Sequence, residues 1–127
     1  MKMNNLNRRI EKNQLAKLAG EYFVDTNSTL IRDLRKQGLD VFVGIRKDEH
    51  TWTILGDHIV IYSTINENFG KTTIDEFLEC LKSYTLARGK SENYEYIRLG
   101  DDEIWVDKPA VMTALWNTAL FLRDKEK

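Results

Sequence analysis

The sequence predicts an α+β fold. We expect one globular domain over residues 1–127, in which an antiparallel five-stranded sheet, a three-strand meander plus a hairpin, packs with about four helices. Apolar residues recur at helical spacing near both ends of the chain and after residue 73, whereas from Val41 to Ser63 they follow the period of two that is typical of strands. The chain has no internal repeat, no low-complexity tract and a single proline, Pro109, so no linker divides it.

Two helices are predicted in the first third of the chain. Residues 4–24 carry apolar side chains at near-helical spacing, with a break expected near Gly20. Residues 25–28, Asp-Thr-Asn-Ser, supply capping side chains, and a second helix is expected over about residues 28–37. Gly38 follows its last turn, which is typical of a helix end.

Three strands are predicted next, because residues 41–46, 50–55 and 58–63 are rich in β-branched and aromatic side chains. Gly56 and Asp57 separate the last two strands, and a two-residue loop of this composition is typical of a tight hairpin.

That loop sets the pairing of the two strands and the residues on each face of the sheet. The predicted pairs are Leu55 with His58, Ile54 with Ile59, and Trp52 with Ile61. One face then carries four large apolar side chains and is expected to pack on helices: Trp52, Ile54, Ile59 and Ile61. The opposite face is more mixed and is expected to be half exposed; it carries Thr51, Thr53, Val60 and Tyr62.

The third helix has the clearest start. Thr73 and Glu76 form a capping box, in which the Thr73 hydroxyl accepts a hydrogen bond from the Glu76 N–H and the Glu76 carboxylate reaches back. Asp75 adds negative charge near the positive end of the helix. The helix is expected to run to about Arg88 and to stop at Gly89.

A hairpin of two short strands, residues 94–99 and 103–106, is predicted after this helix. By the period of two, two tyrosines and an arginine share one face of its first strand, and a tryptophan lies on the corresponding face of the second. The aliphatic residues are the more natural core, which leaves this aromatic face at least half exposed; the alternative is that it fills the core or a dimer contact. Such residue types are enriched where proteins anchor their partners. The predicted partner-binding residues are Tyr94, Tyr96, Arg98 and Trp105.

The fourth helix is predicted to begin at Pro109, where a missing N–H is harmless, with Asp107 as its candidate cap. Ten of the thirteen residues from Ala110 to Leu122 are apolar, so we expect the helix to be covered on two sides. The cover is either the N-terminal helix or a second copy of the chain. In the second case the protein is a homodimer through this helix.

The segment Gly70, Lys71, Thr72 and Thr73 imitates the end of a phosphate-binding loop, because it follows a predicted strand and precedes a helix. The full pattern requires a glycine five positions before Gly70, where this chain has Ile65. The preceding strands also form antiparallel hairpins, whereas a mononucleotide fold has parallel strands joined through helices. The segment therefore predicts an anion-binding helix start and not a complete nucleotide site.

Composition excludes several classes of protein. Apolar residues make up 42% and charged residues 31% of the chain, and its apolar runs are too short to cross a membrane. The N-terminus lacks the apolar segment of a secretory signal, and the single cysteine, Cys80, has no partner for an internal disulfide, so we expect a cytoplasmic location.

No nucleophile–base pair or metal-ligand spacing can be assembled. We therefore predict no catalytic residue, no metal and no cofactor, while catalytic activity stays open.

The primary hypothesis is a non-enzymatic cytoplasmic interaction protein, an inhibitor, immunity-type or regulatory factor, that binds a protein partner. The first alternative is a small module that binds an anion or nucleotide at the helix start near Thr73. The second is nucleic-acid binding through the basic N-terminal third, since residues 1–47 carry ten Lys and Arg against five Asp and Glu. Its candidate residues are Arg8, Arg9, Lys12, Arg32, Arg35 and Lys36, aided by Tyr94 and Tyr96. The isoelectric point of 6.1 argues against this second alternative.

Overall fold

The computed structural model describes residues 15–64, 70–88, 95–99 and 102–124. Four α-helices lie in these ranges: α1 (Leu15–Ala19), α2 (Thr29–Lys36), α3 (Ile74–Arg88) and α4 (Pro109–Asp124). A short 3-10 turn, Gly20–Tyr22, follows α1 directly, and Gly20 has a φ of 60°. The predicted break near Gly20 is therefore confirmed. The first part of the predicted N-terminal helix, residues 4–14, lies outside the described residues.

The described strands form two antiparallel sheets. The larger contains β1 (Phe23–Val24), β2 (Val41–Arg46), β3 (Trp52–Gly56), β4 (Ile59–Ser63) and β5 (Gly70–Thr73), in that spatial order. The smaller is a hairpin of β6 (Tyr96–Leu99) and β7 (Asp102–Trp105). The α+β class and the five-stranded antiparallel sheet are confirmed. However, the hairpin does not join the large sheet, whose outer strands are β1 and β5, and these two were not predicted as strands.

The pairing of β3 with β4 differs from the prediction by two residues. The observed pairs are Leu55 with Val60, Ile54 with Ile61, Thr53 with Tyr62 and Trp52 with Ser63. Gly56 belongs to β3 and pairs with Val41, where a Cβ would collide with the backbone of Asp40. The turn therefore consists of Asp57 and His58. Gly56 is not a turn residue; its lack of a side chain allows the backbone just before β2 to come close to β3. Because a shift of two residues preserves the alternation, each side chain stays on its predicted face.

Both faces of the large sheet are covered. Trp52, Ile54 and Ile61 pack with Ile31 and Leu34 of α2, as predicted for this face. The opposite face carries a larger core built with the other three helices and the hairpin. The expectation of a half-exposed opposite face is wrong; its members Thr51, Thr53, Val60 and Tyr62 are all buried.

Helix α4 is covered by its own chain, because α1 and α3 both contact it. Its buried Thr118 donates its hydroxyl hydrogen bond to the carbonyl of Ala114 at 2.8 Å, which satisfies a polar group inside the core. The predicted two-sided cover is confirmed, while a homodimer through Ala110 to Leu122 stays a prediction. The predicted cap is wrong: the helix begins at Pro109, and Lys108, not Asp107, provides the first carbonyl acceptor.

Candidate protein-binding face

Three hydrogen bonds from other elements hold the β6–β7 hairpin. The buried Thr53 hydroxyl donates to the carbonyl of Trp105 at 2.5 Å. The Tyr62 hydroxyl donates to the Asp102 carboxylate at 2.7 Å, and the Cys80 thiol donates to the carbonyl of Arg98 at 2.9 Å. These donors come from β3, β4 and α3, so the short sheet is fixed against both the large sheet and a helix.

One side of the hairpin is core, and the other is accessible around Arg98 but closed at Trp105, which pairs in register with Tyr96. Ile97 and Ile104 are fully buried, as predicted for the aliphatic set, whereas Arg98 is exposed. Tyr96 and Glu103 are half-buried, and Arg98 pairs in register with Glu103. Opposite charges at paired positions stabilise neighbouring strands modestly. We call the surface formed by Tyr96, Arg98 and Glu103 the hairpin face.

Trp105 is not part of this surface. It was predicted to be at least half exposed, but its side chain is fully buried. The ring of Tyr22 lies 5.4 Å from it in an edge-to-face arrangement, with 74° between the ring planes. The alternative that part of the aromatic face fills the core therefore applies to Trp105. Tyr94 lies outside the described residues.

An ion pair borders the hairpin face at Tyr96. The Lys47 ammonium lies 3.3 Å from the Glu95 carboxylate, and both side chains are about two-fifths exposed, at 41% and 40%. The hydrogen bond and charge of Glu95 raise the pKa of Lys47, and burial raises the pKa of Tyr96, with the Glu95 charge acting in the same direction. No local sequence pattern marks this pair, because its members lie 48 positions apart.

The predicted anion-binding residues lie in an edge strand and not in a loop. Gly70, Lys71, Thr72 and Thr73 form β5 and pair with β4. Lys71 is exposed, Thr72 is buried, and a Cβ on Gly70 would collide with the ring of Tyr62. Close packing against a tyrosine therefore accounts for this glycine.

The start of α3 already has internal partners. The Ile74 N–H donates to the His58 carbonyl at 3.1 Å, and the Glu76 N–H donates to the Thr73 hydroxyl at 3.0 Å, as the predicted capping box requires. The Glu76 carboxylate lies 3.4 Å from the same hydroxyl. Asp75 and Glu76 place two negative charges where an anion would bind. Anion binding here stays a prediction that these observations do not favour.

The basic residues of α2 are partly engaged within the chain. Arg35 donates to the Val41 carbonyl at 3.0 Å, and its guanidinium lies 5.2 Å from the centre of the Phe42 ring. Arg32 donates to the carbonyl of Thr26 at 3.3 Å, and Lys36 is exposed. The other candidate residues for nucleic-acid binding, Arg8, Arg9 and Lys12, lie outside the described residues.

Residues that could support chemistry are dispersed. Cys80 is half-buried, and burial raises the pKa of its thiol, which disfavours the reactive thiolate. Within the ranges that the structure describes, no group of three or more His, Cys, Asp or Glu side chains could hold a metal ion. In the same ranges, no helix has both the length and the apolar character needed to cross a membrane.

Comparisons with known proteins add no relative to this picture: no protein-family model, no curated protein and no solved structure matches the chain.

Proposed function

We propose that the chain is a non-enzymatic cytoplasmic interaction protein, an inhibitor, immunity-type or regulatory factor, that binds a protein partner through the hairpin face. The observation that carries this proposal is the exposed Arg98 beside the half-buried Tyr96, on a two-stranded sheet whose other side is buried core. Arginine and tyrosine are enriched among the residues that contribute most to binding energy in protein interfaces.

The way the hairpin is held supports the same proposal. Hydrogen bonds from Thr53, Tyr62 and Cys80 fix its backbone and one side chain before any partner arrives. A surface that is already ordered loses less conformational entropy on binding, so more of its contact energy contributes to affinity. The mixed charges of Arg98, Glu103 and the Lys47–Glu95 pair suit a partner with complementary polar groups around an apolar contact for Tyr96.

The proposal is tested by comparing wild type with Arg98→Ala and Tyr96→Ala. A partner is captured from the native cell with wild-type protein, purified, and titrated against each variant by calorimetry. We expect each substitution to weaken binding by about tenfold or more, which corresponds to at least about 1.4 kcal/mol. Lys36→Ala is the matched control, because Lys36 is exposed on α2, which packs on the opposite face of the large sheet.

Equal affinities for wild type, Arg98→Ala and Tyr96→Ala, with circular dichroism spectra that match, would overturn the assignment of this face. A loss of affinity in Lys36→Ala alone would move the interface to α2.

A further inference from the structure

The two edges of the large sheet are protected to different extents. Strand β1 has only two residues, and Arg35 of α2 donates to the carbonyl of Val41 at the start of the adjacent β2. Strand β5, at the opposite edge, has four residues, of which Lys71 and Thr73 are exposed. An exposed edge strand offers its unpaired N–H and C=O groups to a further strand. The β5 edge is therefore the more open of the two.

The hydrogen-bond pattern fixes which backbone groups of β5 point outward. The Ile74 N–H donates to the His58 carbonyl at 3.1 Å, one position beyond the last pair of the β4–β5 register. In an antiparallel ladder, residues that bond the neighbouring strand alternate with residues whose groups point away from it. Thr72 therefore faces β4, whereas the Lys71 N–H and C=O and the Thr73 N–H point to the open edge. No backbone group of another described residue bonds these three groups.

The open groups are self-complementary under a two-fold axis at Thr72. If two copies of β5 run antiparallel with Thr72 opposite Thr72, each Lys71 lies opposite Thr73 of the other copy. The Thr73 N–H of each copy then faces the Lys71 carbonyl of the other, in the pairing that antiparallel strands use. The interface is isologous, as in the commonest class of homodimer, and it joins the two large sheets into one.

Charge favours this register. Lys71 and Thr73 share one face of β5, and the Thr73 hydroxyl lies 3.4 Å from the Glu76 carboxylate. Lys71 of the second copy, opposite Thr73, therefore comes beside Glu76, and the symmetry repeats this pair. An axis at Lys71 would instead set two lysines directly opposite each other, which is destabilising. A lysine discourages pairing at most edge strands, but here the acidic start of α3 offsets its charge.

The Thr72 side chain supplies an independent observation. It lies on the opposite face of β5 and is 7% exposed, and its buried hydroxyl has no hydrogen-bond partner among the described residues. A buried hydroxyl without a partner is destabilising. Directly opposed residues of an antiparallel pair have Cβ atoms about 5 Å apart, and threonines placed in this way can hydrogen-bond each other. The two-fold pairing thus brings a partner within reach of the Thr72 hydroxyl.

We propose that the chain forms a symmetric homodimer through the outer edge of β5, with Thr72 at the axis and Lys71 of each copy beside Glu76 of the other. This edge is distinct from α4, through which a homodimer was predicted from the sequence. It also includes no residue of the hairpin face, so it does not depend on the proposed function. Interfaces of small area associate weakly, so the dimer forms as the protein concentration rises.

Sedimentation equilibrium of the full chain from about 1 μM to about 1 mM tests the proposal, since weak and moderate dissociation constants lie in this range. Wild type should approach twice the monomer mass. Lys71→Glu and Glu76→Lys should each weaken self-association by about tenfold or more, because each brings like charges together at both symmetry-related contacts. An equimolar mixture of the two variants should recover the dimer, because each contact between unlike copies again joins opposite charges.

Lys36→Glu is the matched control, because it makes the same charge change at an exposed lysine on α2; it should dimerise like wild type. Lys71→Pro removes an outward-facing N–H and spares the bonds to β4, so it should be monomeric with a circular dichroism spectrum like that of wild type. A wild type that stays monomeric over the whole range would overturn the proposal. A dimer that Lys71→Glu and Lys71→Pro leave unchanged would overturn it too, as would a mixture of the charge variants that does not associate.

Discussion

At the scale of single residues, Tyr62 connects three parts of the fold. Its hydroxyl donates to Asp102 in the hairpin, and its ring lies where a side chain on Gly70 would have to go. Burial and the hydrogen bond to Asp102 raise the pKa of Tyr62, so the phenol stays protonated and acts as the donor. The glycine that imitates a phosphate loop in the sequence is thus required by tyrosine packing on β4.

Tyr62→Phe removes the hydroxyl and keeps the ring beside Gly70. We expect the free energy of unfolding to fall by about 1.5–3 kcal/mol, because a hydrogen bond to a carboxylate is lost. Urea denaturation measures the change. Tyr22→Phe is the control, since that hydroxyl has no hydrogen-bond partner among the described residues and the ring contact with Trp105 is kept; it should change stability by less than about 0.5 kcal/mol. Equal losses in the two variants would contradict the role of the Tyr62–Asp102 bond.

Single residues were predictable from the sequence where their role is local. The Thr73 cap was found because its acceptor and donor lie three positions apart. The bond between Tyr62 and Asp102 spans 40 positions, and no pattern of spacing marks it. Asp107 was assigned as a helix cap by its type and place, but its own N–H and that of Val106 both donate to the Glu95 carbonyl, which places it in a turn instead.

At the scale of elements, β5 and α3 meet without a connecting loop. Thr73 ends the strand and Ile74 begins the helix, and the Ile74 N–H donates to the carbonyl of His58, the turn residue just before β4. The capping hydroxyl of Thr73 therefore acts at the point where the chain changes direction between the sheet and the helix that covers it.

Thr73→Ala should lower the free energy of unfolding by about 0.5–2 kcal/mol, because the Glu76 N–H loses its acceptor at the start of α3. Thr73→Ser retains a hydroxyl at the same place and should recover most of the loss. Thermal denaturation followed by circular dichroism compares the two variants. Matching melting temperatures for Ala and Ser would show that the hydroxyl contributes nothing to the helix start.

For the β6–β7 hairpin, some properties were predicted correctly from the sequence and others were not. Its strand positions and its aliphatic core side followed from the period of two, and both agree with the structure within one or two residues. Its location and the burial of Trp105 did not, because these depend on Tyr22 and Thr53, which lie far away in the chain. The hairpin face therefore does not include the predicted Trp105, and the Lys47–Glu95 ion pair, which was not predicted, lies at its border.

At the scale of the whole molecule, the large sheet separates two hydrophobic clusters. The smaller cluster lies under α2 and the larger one under the other helices and the hairpin. Strands β2, β3 and β4 contribute side chains to both clusters. Unfolding of these strands would therefore expose both clusters to water at once. We expect the two clusters to unfold together in a single cooperative transition.

Ile31→Ala tests this expectation, because Ile31 is fully buried in the smaller cluster. The free energy of unfolding should fall by about 2–5 kcal/mol, the usual cost of truncating a buried isoleucine. Tryptophan fluorescence and far-ultraviolet circular dichroism should still give coincident denaturation midpoints. Lys36→Ala, on the exposed side of the same helix, should change stability by less than about 0.5 kcal/mol. Two separate transitions in Ile31→Ala would contradict the shared-sheet argument.

The sequence by itself determined the features that depend on near neighbours: the class of fold, the start of α3, and which side chains share a face of each strand. These survive because capping acts over three residues and because a register shift of two preserves the alternation of faces. Only the tertiary structure decided that Gly70–Thr73 is a strand, that the hairpin forms its own sheet, that Trp105 is buried in contact with Tyr22, and that Asp107 adopts a positive φ where its N–H bonds the Glu95 carbonyl. The physical reason is that each of these depends on hydrogen bonds or packing between segments distant in the chain, whose energies local periodicity does not reflect.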